Sequence, residues 1–333
     1  MVDSIFLVTV IIVILALVFD FINGFHDTAN AIATSVSTKA LPPRIAIGMA
    51  AIMNFLGALA FTGVAQTITK DIVDPFTLDN GSLVLMAALL SSIIWNLITW
   101  YFGIPSSSSH ALIGSIAGAT IISAGFHAIK YGGFLKIIEA LIFSPIMAFV
   151  IGYIIYSIFK IVFKNLNLPK TNKRFRYFQI FTAALQSFTH GTNDAQKSMG
   201  IITMALIANN FHTTDDIPFW VQLSCATAMA LGTSIGGWKI IKTVGGKIMK
   251  IRPVNGVAAD LSSALIIFGA TYIHLPVSTT HVISSSILGV GASHRVRGVK
   301  WDTAKRMLVT WVITLPISAL LAALIYLILD LFA

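Results

Sequence analysis

The chain has 333 residues, of which 56% are hydrophobic and only 11% charged, against roughly 25% charged in an ordinary soluble domain. A mean hydropathy of +0.86 excludes a soluble life. The net charge of +9 would imply a nucleic-acid partner only on a solvated basic surface. There is almost no soluble chain to carry one, so no nucleic acid is expected, and the single cysteine, Cys225, excludes a disulfide framework.

Apolar segments follow one another at about 4–40, 45–65, 82–103, 104–125, 134–159, 177–208, 217–237, 254–274, 276–292 and 307–331, most of them near or above the roughly 20 residues that cross a bilayer core. The first run, Ser4 to Ile22, lacks a basic flank and a small-residue cleavage site, so a retained span is expected rather than a signal peptide. Segments 4–40 and 177–208 exceed one span and hold Gly, Asn and Asp in mid-run, while 276–292 is short. Broken or re-entrant helices are therefore expected, buried in protein or lining a wet cavity. The expected fold is an all-α polytopic membrane protein.

The loops sort by sign. Of 22 Lys and Arg, 16 fall in three clusters: Lys160 to Arg176, Lys239 to Arg252 and Arg295 to Arg306. The positive-inside rule places these clusters in the cytoplasm. The loops with Asp71, Asp74 and Asp79, and with Asp215 and Asp216, then fall outside, as do both termini. Lys130 is a mild exception. A multi-pass protein of the cell membrane is expected.

A shift of 171 residues aligns Ala87–Gly118 with Ala258–Gly289 without a gap, with 12 of 32 positions identical. A second match, at a shift of 167, sets Gly24-Phe25-His26-Asp27 against Gly191-Thr192-Asn193-Asp194. The chain reads as a duplication. Each half holds five segments, and an odd number of crossings forces the copies into opposite orientations. Two inverted-topology repeats are expected, 1–165 and 177–333, joined by a basic cytoplasmic linker at 166–176, with broken or re-entrant helices at the centre. Secondary transporters are built this way and bind substrate at the repeat interface.

The most costly residues to place in a membrane are Asp27 and Asp194, which the duplication pairs. Helical spacing puts Asn23, Asp27, Asn30 and Thr34 on one face, and His190, Asp194 and Lys197 form the matching stripe. Intramembrane acids mark ion or proton paths. Carboxylate, amide and hydroxyl oxygens are what a hard cation such as Na⁺ prefers, so Asn23, Asp27, Thr28, Thr192, Asn193 and Asp194 are the expected cation ligands.

The second pair is Pro105-Ser106-Ser107-Ser108-Ser109-His110 and Pro276-Val277-Ser278-Thr279-Thr280-His281. Proline before Ser or Thr reads as a helix start, where free N–H groups and hydroxyls bind anions. Ser106, Ser107, Ser108, Ser109, Ser278, Thr279 and Thr280, with Asn30, Gln196 and Lys197, are the expected oxyanion ligands.

His26, His110, His190 and His281 are expected as hydrogen-bonding support. The histidines and aspartates are read as offering no helical chelate, so a transition-metal path is disfavoured. Asp20 and Asp260, without acidic counterparts, are expected at helix interfaces or an entrance. A hydrolase would need an acid, a base and a nucleophile within reach; Ser–His neighbours in sequence point to different helix faces, so no enzymatic activity and no covalent cofactor are expected.

Gly24-Phe25-His26-Asp27-Thr28-Ala29-Asn30-Ala31, His190-Gly191-Thr192-Asn193-Asp194-Ala195-Gln196-Lys197 and the two Pro-x-Ser-x-x-His turns resemble the duplicated signatures of the PiT inorganic phosphate transporters, prokaryotic branch. The resemblance runs over nearly the whole chain. It implies symport of inorganic phosphate with Na⁺ or H⁺ by alternating access, in a homodimer, with the signature Asp and Asn residues serving cation and phosphate. The chain is shorter than many such proteins and lacks their large central loop, so regulation residing there is not expected. Relatives that carry sulfate keep a sulfate or other tetrahedral oxyanion permease as the alternative.

Overall fold

The computed structural model describes residues 2–73, 80–164 and 168–332, without the side chains of 2, 3, 28, 29, 168 and 169. The first half runs through α1 (Val2–Ser37), α2 (Pro43–Ala58), α3 (Gly63–Asp71), α4 (Gly81–Phe102), α5 (Ser108–Ala124) and α6 (Tyr131–Val162). The second runs through α7 (Leu168–Ala208), α8 (Phe219–Ile235), α9 (Trp238–Gly246), α10 (Pro253–Tyr272), α11 (Thr279–Arg295) and α12 (Trp301–Asp330). No strand forms among the described residues; one isolated bridge joins Val73 and Ile129.

The ten apolar segments do not become ten equal spans. Among the described residues, α1, α4, α6, α10 and α12 are long and apolar enough to cross a bilayer, and α2 with α3, bent by 63°, makes a sixth candidate. α7 has the length, but the polar residues from His190 to Lys197 lower its hydropathy. Segments 104–125 and 276–292 are each an extended turn followed by a 17-residue helix, α5 or α11. At 1.5 Å per residue such a helix spans about 26 Å. α9 forms within the expected basic loop around Lys239 and Lys242.

The expectation that 4–40 and 177–208 break is not met. α1 and α7 are helical throughout. Their mid-run glycines are crossing points instead: a methyl group on Gly24 would strike the Met229 carbonyl of α8, and one on Gly191 would strike the Asn54 carbonyl of α2. The facing glycines complete each crossing, since a methyl on Gly232 would meet Phe21 O and one on Gly57 would meet Phe188 O. Small residues let helix backbones approach where no hydrophobic force drives association. The breaks lie between α4 and α5 and between α10 and α11. The linker expected at 166–176 also differs, because 168–176 are the first turns of α7.

The two halves interleave. α5 packs on α12 and α11 on α6, while α1 packs on α8 and α7 on α2. α5 is buried from Ser108 to Thr120, and α11 from Thr279 to Gly291. The periphery carries exposed Phe143, Ile146, Val150, Val309, Val312 and Leu320 on α6 and α12, while Asp27, Asn30, His190, Asp194 and Lys197 are buried. Apolar outside and polar within is the partition a lipid solvent requires.

Candidate transport site

Both helix breaks are built alike. α4 ends with Gly103 at φ 65°, where Gly103 N donates to Trp100 O at 3.0 Å and Ile104 N to Thr99 O at 2.9 Å. This is a Schellman turn, which satisfies carbonyls a helix end leaves open. α10 repeats it with His274 at φ 62° and bonds of 3.0 and 2.8 Å from His274 N to Thr271 O and Leu275 N to Ala270 O. The prolines then turn the chain, and Ser107 and Ser278 cap α5 and α11 by accepting from His110 N at 3.1 Å and His281 N at 3.3 Å. Pro105 and Pro276 therefore precede the caps by two residues rather than opening the helices.

Beyond the caps, the hydroxyls reach the two acids. Ser108 Oγ donates to Asp27 Oδ2 at 2.7 Å, and its counterpart Thr279 Oγ1 donates to Asp194 Oδ2 at 2.9 Å. Thr280 crosses over, donating to Asp27 Oδ1 at 3.0 Å while its oxygen accepts from Asn30 Nδ2 at 2.9 Å. Successive residues of the α11 turn thus hold both carboxylates. Ser109 Oγ donates to Val277 O at 2.8 Å, tying the α5 turn to the α10–α11 turn, and Ser106 Oγ donates to Thr99 Oγ1 at 2.7 Å.

Each acid has a nitrogen companion, and the companions differ. His26 Nδ1 lies 2.6 Å from Asp27 Oδ1, with Nε2 3.3 Å from Thr99 Oγ1. Asp194 Oδ1 accepts from Lys197 Nζ at 2.6 Å, and His190 Nε2 lies 3.2 Å from Asp194 Oδ2. His190 and Asp194 are four residues apart on α7, so, against the expectation of no helical chelate, one pair does have that spacing. No group of three or more His, Cys, Asp or Glu able to hold a metal forms among the described residues.

Several expected ligands serve other ends. Gln196 accepts from Ala65 N at 3.0 Å and donates to Thr192 O, fastening α3 to α7. Thr192 Oγ1 donates to Thr189 O at 2.7 Å. Asn193 braces the turn before α11, accepting from Val277 N at 3.1 Å and donating to Leu275 O at 3.2 Å. The buried Asn23 has neither side-chain polar atom bonded, and Asn30 Oδ1 is also unbonded. The side chain of Thr28 lies outside the described residues, as do Asp74 and Asp79.

His110 and His281 meet across the halves with ring centroids 4.5 Å apart, and His281 stacks on Trp311 at 4.0 Å. They help line a cavity of about 690 Å³ between α6 and α12. Asp20 is buried beside Ser198 and Cys225. Asp260 accepts from Thr34 at 2.7 Å and Thr182 at 3.0 Å, so both lie at helix interfaces. Thr99 and Asn54, which bonds His190 Nδ1 at 3.1 Å, were not expected. They stand outside the repeated signatures, so only their spacing on apolar helices could have marked them.

A buried set of acids and hydroxyls, reached by the starts of two buried 17-residue helices inside a lipid-facing shell, is the interior of a membrane-spanning transporter. The chain belongs to the Phosphate transporter family, whose description matches residues 23–322; these are the PiT proteins, transporters rather than enzymes, and phosphate is the transported substrate. It is 76% identical over 329 residues to a Bacillus subtilis protein described as "Probable low-affinity inorganic phosphate transporter", covering 98% of this chain and 99% of that one. A Rhizobium meliloti protein of the same description is 44% identical over 324 residues, covering 97% and 96% of the two chains. A solved structure, "The sodium-dependent phosphate transporter", superposes with a TM-score of 0.88 at 25% identity, covering 98% of this chain and 100% of that one.

Proposed function

We propose that this protein imports phosphate by symport with a cation, Na⁺ in the first place and H⁺ as the alternative, by alternating access. The observation that carries this reading is the double donation to Asp27: one hydroxyl comes from the α5 turn, Ser108, and one from the α11 turn, Thr280. A carboxylate that accepts both protons keeps them from any anion. A cation at Asp27, Na⁺ or a proton, occupies those lone pairs, and the freed hydroxyls turn to phosphate. Cation and anion then bind together because each removes the other's obstacle. Asn23, one helical turn before Asp27 and unbonded, supplies a further oxygen. His26 Nδ1 at 2.6 Å is the proton partner under H⁺ coupling.

Coupling is an energetic necessity. Each negative charge carried inward against about 100 mV, inside negative, costs about 2.3 kcal/mol. In the proposed cycle the loaded turns close on phosphate, and one repeat rocks against the other. The matched bonds Ser108 to Asp27 and Thr279 to Asp194 support the reading of a duplication, because the same shifts that align the sequence relate their donors and acceptors, and the odd number of segments in each half supports their inversion. The basic clusters support a cytoplasmic placement of their loops with both termini outside. The resemblance to the PiT signatures supports a homodimer.

The test is uptake of ³²P-phosphate into proteoliposomes under a Na⁺ gradient, a pH gradient or neither. Gradient-driven uptake lost in Asp27→Asn is the expected result. Full gradient-driven uptake by that variant would remove Asp27 from the coupling site.

A further inference from the structure

The two half-sites share their hydroxyl donors and differ in charge. At a shift of 167 residues Asp27 pairs with Asp194 and Asn30 with Lys197. In the first half the residue three places after the acid is a neutral amide, and Asn30 Nδ2 bonds Thr280 rather than the carboxylate. In the second it is an ammonium, and Lys197 Nζ sits 2.6 Å from Asp194 Oδ1 with the two side chains 1% and 0% exposed. Lysine's ammonium is a compact point charge on a flexible stem. It meets Asp194 on the oxygen that Thr279 leaves open, Thr279 holding the other.

We propose that Lys197 is a resident counter-ion fixed in the cation position of the second half-site, so that only Asp27 exchanges a coupling cation. This rests on the cation-coupled reading above and adds its stoichiometry. Asp194 and Lys197 together carry no net charge, so no transported cation is required to neutralise Asp194. Removing the ammonium alone leaves a buried carboxylate uncompensated, a state strongly disfavoured, with Asp194 Oδ1 vacated and the Thr279 hydroxyl and the His190 ring at its other oxygen, Oδ2. That set takes a small cation from solution. Lys197 thereby sets how many cations accompany each phosphate, and the charge moved per cycle.

The experiment is ³²P-phosphate uptake into proteoliposomes as a function of coupling-cation concentration, together with the membrane potential at which net flux is zero for fixed gradients. The wild type is expected to show first-order cation dependence. Lys197→Ala is expected to become second order, needing one more cation per phosphate and moving one more positive charge. The double variant Asp194→Asn/Lys197→Ala removes the pair without stranding a charge, and is expected to return to first order at whatever rate it retains. A bracing role for Lys197 would alter rate or yield but not the cation order. Second-order dependence in the wild type overturns the inference, and so does first-order dependence in Lys197→Ala. If Lys197→Ala does not insert, Lys197→Met, which keeps the stem and removes the charge, takes its place, and first-order dependence in it overturns the inference in the same way. Wild-type uptake independent of any cation would instead overturn the symport reading itself, so the two failures are distinct.

Discussion

Thr280 Oγ1 donates to Asp27 Oδ1 at 3.0 Å, although 253 residues separate them in the chain. The bond ties the turn before α11 to the middle of α1, and so ties the second half of the molecule to the acid of the first. A change at the Asp27 carboxylate is felt directly at the start of α11. The bond is also the middle of a relay, because the Thr280 oxygen accepts from Asn30 Nδ2 at 2.9 Å.

Thr280→Val removes both bonds while keeping the shape. A hydrogen bond to a charged group contributes about 1.5–3 kcal/mol, so phosphate uptake at low phosphate concentration is expected to fall roughly 10- to 100-fold. Thr280→Ser keeps the hydroxyl and is expected to stay near wild type. Initial rates of ³²P-phosphate uptake distinguish the pair, and a Thr280→Val rate equal to wild type would remove the relay from the binding step.

The serine caps are distinct from the hydroxyls that reach the acids. Ser107 and Ser278 accept from His110 N and His281 N rather than reaching the acids. Ser107→Ala and Ser278→Ala are each expected to cost about 1 kcal/mol of stability, read as a lower unfolding temperature in detergent. If both losses were absent, other groups would be holding the starts of α5 and α11.

The paired Pro-x-Ser-x-x-His turns were legible because their order is local: a left-handed residue, a proline and a capping serine fix the chain within eight residues, and the duplication repeats it. The acids were legible because charge in an apolar run has few innocent explanations. The continuity of α1 and α7 was not, since a glycine that breaks a helix and one that admits a neighbouring helix look alike in sequence. Only the carbonyls of Met229 and Asn54, supplied by α8 and α2, distinguish them. Gln196 shows the same limit: it lies in the signature beside Lys197, yet helix geometry turns it away to bond Ala65 N. The pairings of Thr99 and Asn54 with His26 and His190 were not legible because those histidines lie 73 and 136 residues away.

The glycine crossings carry their own test. Gly24→Ala and Gly191→Ala each push a methyl group into a backbone carbonyl, which has no rotamer to yield. Overpacking of this kind costs about 1–3 kcal/mol, whereas Gly48→Ala enters open space and in a helix interior is expected to be neutral or slightly stabilising. Thermal unfolding in detergent should separate the first two from the third. Equal stability of all three would mean that α1–α8 and α2–α7 do not cross at these positions.

Asn30 bears on the choice between phosphate and sulfate. Thr280 donates its proton to Asp27 in this structure and to phosphate in the proposed loaded site, so in both states its oxygen accepts, which fixes the Asn30 amide with Nδ2 toward Thr280 and leaves Oδ1, buried and unbonded here, free of it. With Asn30 as a phosphate ligand, this acceptor is expected to take a donor from the bound anion. Monohydrogen phosphate has a P–OH to offer; sulfate at neutral pH has none. A buried acceptor left unpaired costs about 1–3 kcal/mol, so sulfate is expected to bind roughly 10- to 100-fold more weakly than phosphate, since a site built to accept from a hydroxyl rejects the analogue that lacks it. Competition of ³²P-phosphate uptake by sulfate measures the ratio, and Asn30→Ala is expected to narrow it by weakening phosphate more than sulfate. A ratio unchanged in that variant would place the phosphate hydroxyl against another acceptor, and equal competition by the two anions in the wild type would remove the hydroxyl from recognition altogether.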